Sequence, residues 1–296
     1  MAINSRLLET NLIPIKIFNM QHTFESAQPL TFYADYYIRD NMIKYPSNNR
    51  ILELKHSGSI DDGSISAIGS NTIYALQEVK KRFRLQDRMT YIYSKIDTDK
   101  FMSESIKKYF GMRVTMNDPW ETTVVFIISQ FNNVKRIRLI TKKSMERFGT
   151  PIYDEHNMVI GHNFPTIEAI ANARDIDIMS CGPGFRGKYL KSAAQTCMEN
   201  LDLYSLNGKS YYKIRDALMS VHGIGEKVAD CIALMGYGKT EAFPIDRWVK
   251  RVMERVYFKK EQKIDKIADF ANNRWGKYAG YAQQYIFWNG RSIGVI

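Results

Sequence analysis

The stretch Leu218-Met219-Ser220-Val221-His222-Gly223-Ile224-Gly225-Glu226-Lys227-Val228-Ala229-Asp230-Cys231 decides the fold. Upstream of it, Tyr211 to Ser220 has helical spacing, with Ile214, Leu218 and Val221 on one face. Downstream, a second helix begins at Glu226 and runs to Met235. Gly223 and Gly225 permit a tight turn with positive φ and leave backbone N–H groups bare. Ile224 between them can plug a core while both neighbours stay uncovered. Such amides, with the start of the second helix, suit a DNA phosphate held without reading of base sequence. An ordinary helix–helix turn is the other reading, since Gly-X-Gly is common there.

Lys227 stands in the first turn of the second helix, where the dipole disfavours a cation. That field, and any burial, is expected to lower its pKa and leave more free amine. A surface lysine in an ion pair is the plainer alternative. Further on comes Phe243-Pro244-Ile245-Asp246, and Asp246 is placed as the N-cap of a helix from Arg247 to Tyr257. If the connection folds that helix back, carboxylate and amine face one pocket. The pair suits cleavage of an N-glycosidic bond. The amine attacks the anomeric carbon, and the carboxylate stabilises positive charge developing on the sugar.

The bulk properties agree with a polyanionic partner. Forty-two Lys and Arg stand against 31 Asp and Glu in 296 residues, a formal charge of +11, with a pI near 9.4. Neutralising phosphates releases condensed counterions, although many basic proteins never touch nucleic acid. Hydrophobic content of 45% and charged content of 25% are ordinary for a soluble globular chain. Cys181, Cys197 and Cys231 lie too far apart for a disulfide framework, a zinc site or an iron–sulfur site. The opening MAINSRLLETNLIPIKIF is broken by Glu9, Asn11 and Pro14, so it has no signal-peptide core. The most apolar stretch, Thr122 to Ser129, is far too short to span a bilayer. These features read as a soluble cytoplasmic protein, nucleoid-associated, or nuclear in a eukaryote.

Outward from the hairpin, two textures appear. Leu30 to Ile38, Ile51 to Lys55 and Ser64 to Ile68 are rich in β-branched and aromatic residues. Turn clusters at 45–49 and 57–63 separate them, which predicts a small antiparallel sheet. From about Asn71 the spacing becomes helical, with Leu76, Val79 and Phe83 on one face. Asp118-Pro119-Trp120-Glu121 carries a cap, proline at the first helical position and an acid in the first turn. Phe164-Pro165-Thr166 opens another helix, and Tyr189 to Met198 forms one after Cys181-Gly182-Pro183-Gly184. The remainder reads as helix and turn. The expected fold is α+β, with an antiparallel β domain at 1–72 packed on a helical domain at 73–296.

The hairpin, Lys227 and Pro244-Ile245-Asp246 together closely resemble the helix-hairpin-helix glycosylase superfamily, and within it the 8-oxoguanine DNA glycosylase/lyase branch. The stretch from Asp118 to Ile137 resembles the family's helix ending in a Ser/Asn-rich turn, whose Asn132 and Asn133 would contact DNA. Gly184-Phe185-Arg186-Gly187-Lys188-Tyr189 resembles the loop that wedges into the duplex. Gly280-Tyr281-Ala282-Gln283 through Phe287 resembles the helix lining the base pocket. The resemblance implies that Lys227 forms a Schiff base with deoxyribose, followed by strand cleavage through β-elimination, with Asp246 assisting. It implies that Phe287 stacks on the flipped base, Gln283 bonds its edge and Cys231 covers its other face. Ala27 stands where the family has a glycine whose carbonyl senses the extra N–H of 8-oxoguanine. Trp248 replaces a histidine, Phe131 an asparagine and Phe185 a tyrosine wedge. Arg136 and Arg186 match arginines that contact the orphaned cytosine. Losing the asparagine implies weaker discrimination of the base opposite.

A monofunctional alkyl-purine glycosylase would lack Lys227. An endonuclease III-like member would carry four cysteines near its C-terminus. A non-enzymatic DNA-binding hairpin would explain the glycines and the charge, but not Lys227, Asp246, Gln283 and Phe287 together. The resemblance implies double-stranded DNA carrying 8-oxoguanine as partner, a monomer, and no required cofactor. The hairpin carbonyls could hold a monovalent cation bridging to phosphate.

Overall fold

The computed structural model describes residues 11–68, 72–292 and 294. The first ten residues, where the signal-peptide reading began, lie outside this range. Five strands form an antiparallel sheet: β1 (Asn11–Ile15), β2 (Asp35–Tyr37), β3 (Met42–Ser47), β4 (Arg50–Gly58) and β5 (Gly63–Ile68). Their order is β1-β5-β4-β3-β2. Alternation of period two buries Ile43 and Tyr45 of β3 and Leu52 and Leu54 of β4 on one face. The helix Thr72–Arg82 covers that face, and its Ala75 and Val79, with Phe83 just beyond, share a cluster with the sheet.

Two sequence expectations change here. The turn expected across 45–49 shrinks to Asn48 and Asn49, whose φ values are 51° and 60°. Two consecutive positive φ angles are what a two-residue type I′ hairpin requires, and asparagine tolerates them. Pro46 therefore lies within β3, past the end of its pairing with β2, so its missing N–H leaves no ladder bond open on that side. The strand expected from Leu30 to Ile38 is reduced to β2. Pro29 starts a 3-10 turn, Pro29–Phe32, at the position that suits its fixed φ.

The larger hydrophobic cluster is helical and centres on Pro119–Ser129, in which Val124, Val125, Ile127 and Ile128 are all buried. The Asp118 side chain caps it, accepting from the Trp120 and Glu121 N–H groups at 2.8 and 3.1 Å. Packed around it are Val134–Phe148, Arg186–Glu199 and Glu226–Tyr237. A hairpin absent from the sequence reading, β6 (Pro151–Tyr153) and β7 (Val159–His162), interrupts the helices. Its Met158, Val159 and Ile160 are all exposed, so no hydrophobic alternation marked it.

Buried polar side chains fasten the sheet region to the helices. Arg113, only 2% exposed, donates to the carbonyls of Ile17, Arg84 and Lys16. Gln28 donates to the Arg113 carbonyl at 2.9 Å and accepts from the Thr115 N–H at 2.7 Å. A buried charge is tolerable only when its donors are matched, as they are for Arg113. No helix among the described residues is long and apolar enough to cross a membrane.

Candidate active site and nucleic-acid interface

The helix Tyr211–Met219 ends at the hairpin turn, which is closed by the Ile224 N–H donating to the Val221 carbonyl at 3.0 Å. Ile224 is 5% exposed and plugs the core. The two glycines differ in kind. Gly223 has φ +91°, and an added Cβ would meet the Tyr189 ring at 2.4 Å, so both backbone and space demand glycine. Gly225 has φ −94° with nothing within 4 Å of an added Cβ. Nothing among the described residues requires glycine there, and the position is exposed. Gly225 is also the N-cap of Glu226–Tyr237 and supplies no side-chain cap. The first amides of that helix are open to an anion.

Lys227 lies in the first turn of this helix, its Nζ 5.2 Å from the ring centroid of Phe126. Asp246 caps the helix Arg247–Met253, accepting from the Trp248 and Val249 N–H groups at 2.9 and 2.8 Å. Both bonds fall on Oδ1, which leaves Oδ2 without a hydrogen-bond partner among the described residues. Lys227 and Asp246 line one cleft of about 420 Å³, shared with Phe131, Asn132, Gly225, Arg247 and Trp248. Lys227 also lines a second cavity of about 390 Å³ on the side of Tyr211, Arg215 and Asp230.

The expected fall in the Lys227 pKa is reversed. Burial alone would lower it, but Cys231, Asp246 and Asp230 outweigh burial, and the net direction is up. Burial pushes the Cys231 thiol itself up to about 11, so it is uncharged near neutrality.

The base-pocket candidates converge on the same region. Ala27 has φ +57°, a left-handed conformation that glycine adopts freely and alanine only at a cost of about 1 kcal/mol. The Gln284 side chain donates to the Ser26 carbonyl at 2.7 Å, tying the Ala27 turn to the helix Ala279–Ser292 that carries Gln283 and Phe287. Gln283 is 6% exposed, and its Oε1 has no partner among the described residues. Cys231 is buried and lies close enough to Lys227 for each to shift the other's pKa. Phe287 and Trp248 share one neighbour: the Arg291 guanidinium lies 5.5 and 5.9 Å from their ring centroids.

The wedge candidates split. Phe131 is 79% exposed with φ 47°, and Phe185 is 51% exposed. Both project from the surface. Asn132 donates to the Ile128 carbonyl at 3.0 Å, and Asn133 caps Val134–Phe148. Arg136 is exposed, reaching only the Gly182 carbonyl at 3.4 Å. Arg186, the other arginine expected near the orphaned base, is turned inward. It is 4% exposed, and its guanidinium donates to the carbonyls of Gln130, Phe131 and Pro183. Those donors brace the Phe131 loop.

Gln130, Phe126, Arg247 and Arg291 belong to the site although the sequence reading did not single them out. Gln130 locks the wedge loop to the hairpin, its side-chain amide donating to the Gly223 carbonyl at 2.9 Å. No local signal marks such a residue, because its partners lie far away in the chain. At the hairpin, the Val221 and Gly223 carbonyls each accept one hydrogen bond and keep a second lone pair. No group of His, Cys, Asp and Glu suited to a metal ion occurs among the described residues.

Known proteins resemble this chain over most of its length. Residues 124–277 match the model of the HhH-GPD superfamily base excision DNA repair protein. A curated relative from Methanothermobacter thermautotrophicus, named a probable N-glycosylase/DNA lyase, is 28% identical over 235 residues, covering 73% of each chain. A solved structure of MBOgg1 in complex with a low affinity DNA ligand is similar with a TM-score of 0.87 at 32% identity over 96% of each chain. The Clostridium acetobutylicum 8-oxoguanine glycosylase/lyase, in complex with double-stranded DNA containing cytosine opposite 8-oxoguanine, gives 0.84 at 25% identity. That match covers 94% of this chain and 93% of the other. With more than half of its length matched to the family, and Lys227 and Asp246 facing one cleft beside the hairpin, the chain belongs to the HhH-GPD superfamily of base excision DNA repair proteins.

Proposed function

We propose that this protein is a bifunctional DNA glycosylase and apurinic/apyrimidinic-site lyase that flips 8-oxoguanine out of duplex DNA, excises it and nicks the strand. The observation that carries the reading is the single cleft shared by the Lys227 amine and the Asp246 carboxylate. The amine lone pair forms a bond to C1′ as the glycosidic bond breaks, its electron pair leaving on the purine, which takes up a proton. The nitrogen lone pair then expels the ring oxygen O4′, which takes up a proton, and the protonated imine results. Removal of a C2′ proton then expels the 3′ phosphate. The Asp246 carboxylate offsets positive charge on the sugar while C1′ is bonded to neither group fully.

Flipping costs a few kcal/mol of unstacking. Phe131 and Phe185 fill the gap, and the amides at Gly223, Gly225 and the start of Glu226–Tyr237 hold phosphate, with Asn132, Asn133 and Arg136 nearby. The unpartnered Gln283 Oε1 suits an N–H donor on the base edge, Phe287 and Cys231 cover its faces, and the Ala27 carbonyl faces the lesion. Trp248 walls the cleft on the side of Asp246. The chemistry requires no cofactor, and a monovalent cation at the hairpin carbonyls would bridge to phosphate. The sheet region is one domain, 1–72, on a helical domain, 73–296, acting as a monomer on nuclear or nucleoid DNA.

Borohydride trapping on duplexes carrying 8-oxoguanine opposite each of the four bases tests the reading. A covalent adduct formed by the parent and lost in Lys227→Gln is expected. An adduct that persists in Lys227→Gln removes that residue from the nucleophile's role.

A further inference from the structure

The helix that starts at Asp246 carries an uncommon repeat. Arg247, Arg251, Arg255 and Lys259 recur every four residues and are all exposed, with Lys260 beside the last. Val249, Val252 and Met253 bury the opposite face. In an α-helix a four-residue repeat drifts slowly around the axis. Here the α-helix ends at Met253 and a π-helical turn, Glu254–Phe258, follows. Its i→i+5 bonds wind more slowly and oppose the drift. Arg251, Arg255, Lys259 and Lys260 accordingly line one shallow surface depression. Of the two acids there, Glu254 is taken by Lys250 at 3.0 Å, which leaves Glu261 as the one acid in that lining without an ion pair among the described residues, against four cations.

The ridge is continuous with the catalytic cleft. Arg247 lines that cleft, its guanidinium 5.8 Å from the Phe131 ring, and Arg251 lies 6.0 Å from the Trp248 ring. From Arg247 to Lys259 the rise is about 15–18 Å at roughly 1.5 Å per residue. Along the duplex axis that spans on the order of five base-pair steps at about 3.4 Å each.

We propose that Arg251, Arg255, Lys259 and Lys260 bind the phosphate backbone of the same duplex on one flank of the lesion, a second contact surface beyond the hairpin. Charge complementarity and continuity with the cleft select DNA over an acidic protein. The placement of the flank rests on the cleft being the lesion site.

The test compares the parent with Arg255→Gln/Lys259→Gln/Lys260→Gln, which leaves the cleft residues untouched. Affinity is titrated against salt on a duplex with a tetrahydrofuran abasic analogue, at full length and with either arm trimmed. The variant should bind the full duplex about tenfold more weakly near 0.1 M salt, with a log–log salt slope smaller by about 2–3. Trimming one arm should cost the parent the same factor and the variant nothing more. The charge-preserving Arg255→Lys/Lys259→Arg/Lys260→Arg protein should keep the parental slope. Single-turnover trapping on saturating 8-oxoguanine duplex should be unchanged in both variants. A parental slope in the triple Gln variant, or an equal loss on both trimmed duplexes, overturns the proposal. So does unaltered DNA binding alongside lost binding of a polyglutamate peptide. Absence of trapping by the parent would instead overturn the glycosylase reading, while the salt slopes still report on the ridge.

Discussion

Lys227, in the first turn of one helix, and Asp246, the N-cap of the next, face a single cleft of about 420 Å³. Cys231, this carboxylate and Asp230 together raise the amine's pKa against the effect of burial. Attack requires the free amine, so the rate of Schiff-base trapping should rise with pH through the neutral range. With the Lys227 pKa raised above its ordinary 10.5, no plateau is expected below about pH 9. A rate already level at pH 7 would show that the amine is free there and that these neighbours do not raise its pKa.

Asp246 has two separable duties. Asparagine is as good an N-cap as aspartate, so Asp246→Asn should keep the Trp248 and Val249 bonds and the melting temperature within a few degrees. Losing the charge should slow base release on the order of 10²-fold or more. Single-turnover excision at near-parental rate would reduce Asp246 to a cap.

The same substitution two residues apart should have opposite results. Gly223→Ala sets a Cβ against the Tyr189 ring at a positive φ and should lower stability by about 1–3 kcal/mol. Gly225→Ala meets nothing within 4 Å. It should melt within about 2 °C of the parent yet bind duplex DNA more weakly, since the methyl stands where a phosphate approaches. Calorimetry and DNA titration together separate the two. Unimpaired binding by Gly225→Ala would place the phosphate elsewhere.

Opposite-base preference should be shallow. Phe131 and Phe185 offer the gap no hydrogen-bonding side chain, and Arg186 spends its donors on the carbonyls of Gln130, Phe131 and Pro183. Excision of 8-oxoguanine opposite the four bases should fall within about tenfold, or roughly 1.4 kcal/mol. A hundredfold preference for cytosine would require Arg186 to leave those carbonyls when DNA binds.

Glu121 provides a pH handle on stability. Burial pushes its carboxyl up to about 7, despite the attraction of Arg82 at 3.6 Å. A folded value above the unfolded one, about 4.3, means the folded state holds the proton more tightly. Its contribution is present below about pH 4.3 and is lost as pH rises through 7. Glu121→Gln should therefore lose less stability than the parent between pH 5 and 8, by on the order of 2–3 kcal/mol. Denaturant melts showing the same pH slope for both proteins would contradict this.

Much of the fold was legible in local chemistry. The Asp118-Pro119 cap, the Thr166 cap and the Gly223-Ile224-Gly225 turn each declare their structure through a backbone need that one residue type satisfies. What failed were elements whose state depends on a distant partner. The β6–β7 hairpin has three exposed apolar residues in a row and no alternation to read. Residues 254–258 continue the apolar spacing of a helix but wind as a π turn.

The residues by themselves determined the chemistry: an amine at a helix start, a capping carboxylate, two glycines and a net positive charge, because each acts through its own functional group or backbone freedom. Tertiary structure alone decided the roles that depend on surroundings. It turned the Lys227 pKa upward by bringing Cys231 and two carboxylates close, and it spent the Arg186 donors on loop carbonyls. Protonation state and free donor count are properties of neighbours, and neighbours separated in sequence are chosen only by folding.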